Sequence, residues 1–241
     1  MSSLTSTHSA EADASAKSRF APVVSEAGTS VTDTTRPPTA TSDPAGPTPD
    51  DRPRVGVVVA STRPVRIGRQ IADAVVDLAV FSGVPVAPRI LDLRDINLPF
   101  LDEPTPPSTG QRSLSHSQAW SQTISALDGV VFVTAEYNGG YPAPLKNAID
   151  FLKDEWADLP GTIVSYGGAG GVSSAAQLRT VLTQLLVDLA DVDPAIRVRS
   201  RHYGEDRTLL DAAEVVAAST AELLTAWGWV AQRASARAAA R

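Results

Sequence analysis

The stretch Arg54–Arg69, RVGVVVASTRPVRIGR, decides the fold. Val55, Val57, Val58 and Val59 are too β-branched and too continuous for a surface helix, and they predict a strand buried on both faces of a parallel sheet. Small, hydroxyl-bearing and cationic residues follow at once. Ile67, Ile71, Val75 and Leu78 then recur at helical spacing, so Ser61 to Arg66 lies between a strand's carboxyl end and a helix's amino end. Such a turn presents unpaired backbone N–H groups and the positive end of a helix dipole. Ser61 and Thr62 add hydroxyl donors, and Arg63 can grip two phosphate oxygens at once. The turn suits an anion; a surface turn with incidental arginines is the plainer alternative.

Composition bounds what this turn can serve. The chain has 241 residues, 43% of them hydrophobic, enough for one sizeable α/β domain. No run reaches the ~18 apolar residues of a membrane span. There is no cysteine, which excludes disulfides, thiolate metal sites and thiol redox chemistry together. The histidines, His8, His116 and His202, are scattered and predict no metal cluster. The net charge is -6, and outside residues 1–52 it falls to -3, which argues against a nucleic-acid binder. Residues 1–52 are rich in Ser, Thr, Ala, Pro and Asp and predict a disordered tail. It has no secretory pattern. A cytoplasmic domain over residues 53–240 is the expectation.

Val86 to Leu91 predicts a second strand ending at Asp92, and the proline-rich stretch from Leu93 to Ser113 predicts either a lid or a packed crossover. A helix with Ala119, Trp120, Ile124 and Leu127 on one face precedes the third strand, Val130 to Thr134. Glu136 to Tyr141 then forms a second strand-to-helix turn, because Pro144 suits a helix's first turn and Leu145, Ala148, Ile149 and Leu152 mark its buried stripe. Gly139 and Gly140 permit close backbone approach to a flat ligand, Tyr137 and Tyr141 offer aromatic faces, and Asn138 both donates and accepts. The fourth strand, Thr162 to Ser165, leads into the glycine-rich third turn Ser165–Gly171, with Ser173 or Ser174 expected to cap the next helix. A short strand near Ile196 to Val198 precedes a long helix from about Leu209 to Ala238. Its expected stripe is Ala213, Val216, Ala217, Leu223, Leu224, Trp227 and Val230, with Arg233, Arg237 and Arg241 favouring its own C-terminal dipole.

Alternating strands and helices with right-handed crossovers predict an α/β flavodoxin-like fold, a doubly wound five-stranded parallel sheet of order 2-1-3-4-5. The turns after strands one, three and four then converge at the switch point. One has phosphate chemistry, and two have glycines and aromatic rings. A single ligand with a phosphate at one end and a planar ring at the other satisfies all three, which points to flavin mononucleotide. Neither G-x-G-x-x-G nor a P-loop follows the first strand.

At these residues the chain resembles the NADPH-dependent FMN reductase family of flavin, quinone, azo and chromate reductases. Ala60-Ser61-Thr62-Arg63 is similar to the family's G-S-x-R turn and Ala135-Glu136-Tyr137-Asn138 to its P-E-Y-N turn. Leu145–Asp150 matches L-K-N-A-I-D, and Ser165–Gly171 matches S-x-G-x-x-G-G. Ala60 departs from the family's first glycine, which a negative φ tolerates; Ala135 departs from its proline, which is expected to loosen that turn. The resemblance implies a homodimer that binds FMN, takes hydride from NADPH or NADH, and reduces a small-molecule electron acceptor. It implies that Ser61, Thr62, Arg63 and Arg66 with the Ile67 and Gly68 amides hold the phosphate. Glu136, Tyr137, Asn138 and Gly139 would line the isoalloxazine, and Tyr166, Gly167 and Gly168 would close its pyrimidine side. No side chain is expected to act as general acid or base, and Glu136 is expected to pair structurally or complement a helix N-terminus. Trp156 and Tyr141 near the cleft are expected to support dimerisation. The competing reading is a flavodoxin-like electron carrier that binds FMN without NAD(P)H turnover; a flavin-free scaffold is a third.

Overall fold

The computed structural model describes residues 52–241, and the expected tail, up to Asp51, lies outside the described residues. The valine-rich runs form the middle of a parallel sheet. β1 (Arg54–Val59) has β2 (Ala87–Asp92) on one side and β3 (Gly129–Ala135) on the other, and β4 (Pro160–Gly167) pairs with β3. The order is β2-β1-β3-β4-β5, as the crossover argument requires. The far edge differs from expectation. Two short strands share β4: β5 (Asp188–Leu189) beside Pro160 and Gly161, and β6 (Ala195–Arg197) beside Ser165 to Gly167. The sheet thus has six strands rather than five. The chain leaves the edge between them because Arg179 grips the Asp193 carboxylate and the Ala190 carbonyl there.

Alternate residues of each central strand point to opposite faces, and both faces are covered, which is why these strands are apolar throughout. On one face Val57, Val59, Val131, Val133 and Val164 pack under α1 (Gly68–Phe81), α6 (Ala212–Ala217) and α7 (Thr220–Ala239). On the other, Val58, Phe132 and Ile163 meet α3 (Ser115–Ser125), α4 (Ala143–Asp150) and α5 (Val172–Gln184). In α3, Ala119 is exposed and Ser117 takes a buried place beside Trp120 and Ile124. No helix among the described residues is long and apolar enough to cross a membrane.

The expected long C-terminal helix is two helices. The chain breaks at Ala218–Ser219, and the register changes, so Val215 and Val216, then Leu223, Trp227 and Val230, face the sheet while Ala213 and Ala217 are exposed and Leu224 is half-buried. Nor do the terminal arginines serve only their own helix. Arg237 donates to the Asp158 carbonyl at 2.8 Å, Arg241 donates to the carbonyls of Ser125 and Leu127, and Arg233 lies 3.5 Å from Asp188.

The proline-rich connection is a packed crossover. After α2 (Leu93–Ile96), the Asn147 side chain donates to the Pro99 carbonyl at 2.7 Å and accepts from the Leu101 amide at 2.9 Å. The Glu103 carboxylate accepts from the Ser113 amide, the Ser113 hydroxyl and the Leu114 amide, and Arg112 pairs with Glu155.

Candidate functional site

The three predicted turns leave the sheet along one edge, because parallel register sets Val59 beside Val133 and Ala135 beside Tyr166. The first turn is shaped by a residue the sequence reading did not single out. Asp92, which ends β2 next to Val59, accepts both terminal nitrogens of Arg66 at 2.8 and 2.7 Å, and Arg66 also donates to the Ser61 carbonyl at 2.6 Å. Their side chains are only 8% and 3% exposed. Arg66, expected among the phosphate contacts, therefore spends its guanidinium on the turn itself. Arg63 is exposed, has no carboxylate partner among the described residues, and stands 5.3 Å over the Tyr137 ring. Thr62 is half-buried between them in sequence.

At the head of α1 no side chain caps the helix and no acid enters its first turn. The Ile67 and Gly68 amides donate to no acceptor among the described residues. The Ser61 hydroxyl is fully buried beside the Tyr166 phenol and makes no other hydrogen bond among the described residues. Buried donors left without partners are costly, and an anionic ester seated here would satisfy them. Gly68 makes the cradle possible, since a Cβ there would run into both the Ser61 and the Tyr166 hydroxyls. Burial pushes the Tyr166 phenol above its ordinary value, so the ring stays neutral and keeps its proton.

The second turn is closed by reciprocal bonds: the Tyr137 amide to the Gly140 carbonyl at 2.8 Å, and the Gly140 amide to the Tyr137 carbonyl at 3.0 Å. Asn138 (φ 52°) and Gly139 (φ 81°) occupy its left-handed positions, which Asn and Gly tolerate best. Ala135 does not prevent this closure, and the Ser174 hydroxyl donates to its carbonyl at 2.9 Å. The Asn138 and Gly139 amides donate to no acceptor among the described residues, and the space a Gly139 side chain would fill is open. From α5, Gln177 holds the Gly139 carbonyl at 2.9 Å. Glu136 turns toward the same helix and accepts from the Ser173 and Ser174 amides at 3.0 and 3.4 Å. The cap of α5 is consequently Gly171, in a left-handed conformation, with Glu136 supplying the acceptor that Ser173 or Ser174 was expected to provide.

In the third turn the Ser165 hydroxyl donates to the Gly170 carbonyl at 2.8 Å, and Gly168 is exposed with open space around it. Gly167 lies against Glu136 and Gly171. Tyr166 is buried and reaches this cluster through its hydroxyl beside Ser61. The site residues thus fall into a donor-lined cradle (Ser61, Thr62, Arg63, Ile67, Gly68, Tyr166) and an adjoining ledge of open backbone (Glu136 to Gly139, Gly167, Gly168). Trp156 takes no part: it is buried, packs against Trp120 and Phe132, and donates to the Ile149 carbonyl. It cannot support a dimer contact as expected.

Gln177 was missed, and so were the roles of Asp92 and Ser174 at the site, because each acts across a large sequence separation. A signal existed for Asp92, a carboxylate closing the strand next to an arginine-bearing turn.

Comparison with known proteins agrees with this geometry. Residues 53–196 match the family model described as NADPH-dependent FMN reductase. An NAD(P)H-dependent FMN reductase of Schizosaccharomyces pombe is 47% identical over 108 residues, which is 44% of this chain and 54% of the relative. One of Saccharomyces cerevisiae is 38% identical over 147 residues, 56% of this chain and 76% of the relative. The chain thus spans about half of the first relative's length and three quarters of the second's. Among solved structures, the flavoenzyme NAD(P)H:(acceptor) oxidoreductase FerB of Paracoccus denitrificans superposes with a TM-score of 0.59 at 20% identity, covering 75% of this chain and 98% of that one, a likeness of fold. A cradle of free donors at the head of α1, a ledge of open amides beside it, and a match through both make this chain a member of the NADPH-dependent FMN reductase family.

Proposed function

We propose that the protein is an FMN-dependent NAD(P)H oxidoreductase that reduces a quinone, free flavin or another small oxidant by a ping-pong route. When bound, FMN supplies the redox chemistry, taking two electrons as hydride from the nicotinamide and yielding them to the acceptor. The chain's own residues hold and orient. Ser61, Thr62 and Arg63 with the Ile67 and Gly68 amides grip the phosphate, and Arg66, locked by Asp92, fixes the turn that presents them. Glu136 to Gly139 border the ring, and the free Asn138 or Gly139 amide donates to its edge, which tunes its electronics. Gly167 and Gly168 border the pyrimidine side beside Tyr166. No side chain transfers a proton in this scheme; stacking and orientation bring the reactants together. A homodimer, implied by the family resemblance, and a cytoplasmic location belong to the same reading.

The observation that carries it is the buried Ser61 hydroxyl, beside the Tyr166 phenol and beneath an uncapped helix start, one strand away from the Tyr137–Gly140 ledge. FMN-loaded protein should oxidise NADPH with a quinone present at a rate above free FMN alone. FMN binding without turnover would identify an electron carrier instead, and failure to bind FMN would remove both readings. Sedimentation at micromolar concentration tests the dimer separately.

A further inference from the structure

Beside the first turn, and sharing its Arg63 and Ile67, lies a cleft of ≈ 810 Å³, walled by Arg63, Pro64, Val65 and Ile67 on one side and by Ser200, Tyr203 and Arg207 on the other. Its volume is in the range that accommodates a nucleotide-sized ligand. We propose that this cleft receives the phosphorylated adenosine end of NADPH, with Arg207 recognising the 2′-phosphate. The inference rests on the reductase reading above and adds to it the basis for choosing NADPH over NADH.

Arg207 sits on a fixed hairpin. Tyr203 and Leu209 form an antiparallel bridge, Gly204 bonds Thr208 through the backbone, and Gln70 of α1 clamps Leu209 through both its amide and its carbonyl. The Arg207 backbone is left-handed, φ 63°, where Gly or Asn is the ordinary occupant. Its side chain is exposed and makes no hydrogen bond or ion pair among the described residues, so packing does not account for an arginine there. The turn that imposes this conformation is closed by the Arg207 amide, which donates to the Gly204 carbonyl at 3.0 Å.

The cleft's chemistry fits a monophosphate ester on an adenosine. Arg207 lines it opposite Arg63, which the flavin phosphate engages, and can grip a further phosphate with two N–H bonds. Tyr203, 38% exposed, offers a ring for a purine to stack on, and Ser200 adds a hydroxyl. The hairpin's two acids, Glu205 and Asp206, stand outside the cleft's lining. Asp206 is turned into its own loop, where its carboxylate accepts from the Thr208 amide and hydroxyl. Arg63 also stands 5.3 Å over the Tyr137 ring and so lies between the cleft and the ledge.

The test titrates 2′,5′-ADP and 5′-ADP into the FMN-loaded full chain by calorimetry, for the parent protein and Arg207→Gln, and measures kcat/KM for NADPH and NADH. The parent should bind 2′,5′-ADP roughly tenfold or more tightly than 5′-ADP, and Arg207→Gln should abolish most of that difference. The NADPH-to-NADH ratio of kcat/KM should fall by a similar factor, with partial recovery in Arg207→Lys. Equal affinities for the two nucleotides, or indifference to Arg207→Gln, would overturn the proposal. So would a parallel loss of FMN affinity in Arg207→Gln, which would assign the cleft to the flavin phosphate. Absence of NADPH oxidation in the parent would sink the reductase reading, whereas the calorimetric comparison would still decide the cleft.

Discussion

Gly68 stands where two hydroxyls and a helix start crowd together, so the smallest possible enlargement is informative. Gly68→Ala drives a methyl group into the Ser61 and Tyr166 hydroxyls. Ser61 can rotate aside, but the Tyr166 ring is packed in the core. Overpacking of this kind costs ~1–3 kcal/mol, and denaturant unfolding should show it. Quenching of FMN fluorescence should report weaker binding in the same variant, because the methyl group enters the cradle. Asp92 gives a second residue-scale expectation. Asp92→Ala leaves the buried Arg66 guanidinium without its carboxylate, a change that costs ~3–5 kcal/mol when one partner of a buried pair is removed. Unfolding in urea measures it, and a loss below ~1 kcal/mol would show that Arg66 finds another partner or water. Arg66 also shows where residue-by-residue reading ends. Its charge beside a strand-to-helix turn was visible, but whether it faces a ligand or Asp92 depends on a strand 26 positions further on.

Elements separate more clearly into what local sequence specifies and what it does not. The strands were readable because continuous β-branched runs carry their own burial, and the order followed from crossover handedness. β5 was not readable: two residues, one of them Asp188, have no pattern, and they become a strand only because β4 lies beside them. The C-terminal helix was overextended because an apolar period continues in sequence across a break at Ser219 that only packing creates. The crossover after β2 was ambiguous for a related reason, since its staples Asn147 and Glu155 belong to later segments. One of its internal staples titrates. Slight burial pushes the Glu103 carboxyl up, but donors from Ser113 and Leu114 outweigh this and bring it to about 2, below its ordinary 4.5. A carboxyl lowered on folding contributes stability above its unfolded value and loses it as pH falls through the folded one. Glu103→Gln should therefore destabilise the protein at pH 6 to 7, and the difference from the parent should shrink as pH is lowered from about 4.5 toward about 2. Urea midpoints at pH 7 and pH 3 check it; a constant difference would mean that Glu103 acts through its shape and not its charge.

For the molecule as a whole, every flavin-site residue expected from the sequence falls between Ser61 and Gly168, on one edge of one sheet. Deleting residues 1–50 should accordingly leave FMN affinity unchanged within error, and a fluorescence titration of the shortened chain checks this. The convergence of three turns was legible in advance because it needs only strand order and turn composition. The cleft beside Arg207 was not, because the hairpin that bears it follows β6 and reaches α1 through Gln70.

The divided margin beyond β4 bears on how copies of this chain can associate. Two strands of two and three residues, parted by a bend pinned through Arg179 and followed by Pro194, present no unbroken rail of amides and carbonyls along that side. A neighbouring chain finds too little there to zip onto, which guards against runaway strand-by-strand stacking. Pairing of two copies strand to strand is thus disfavoured on this side, and the longer rim at β2 is the sheet's other margin.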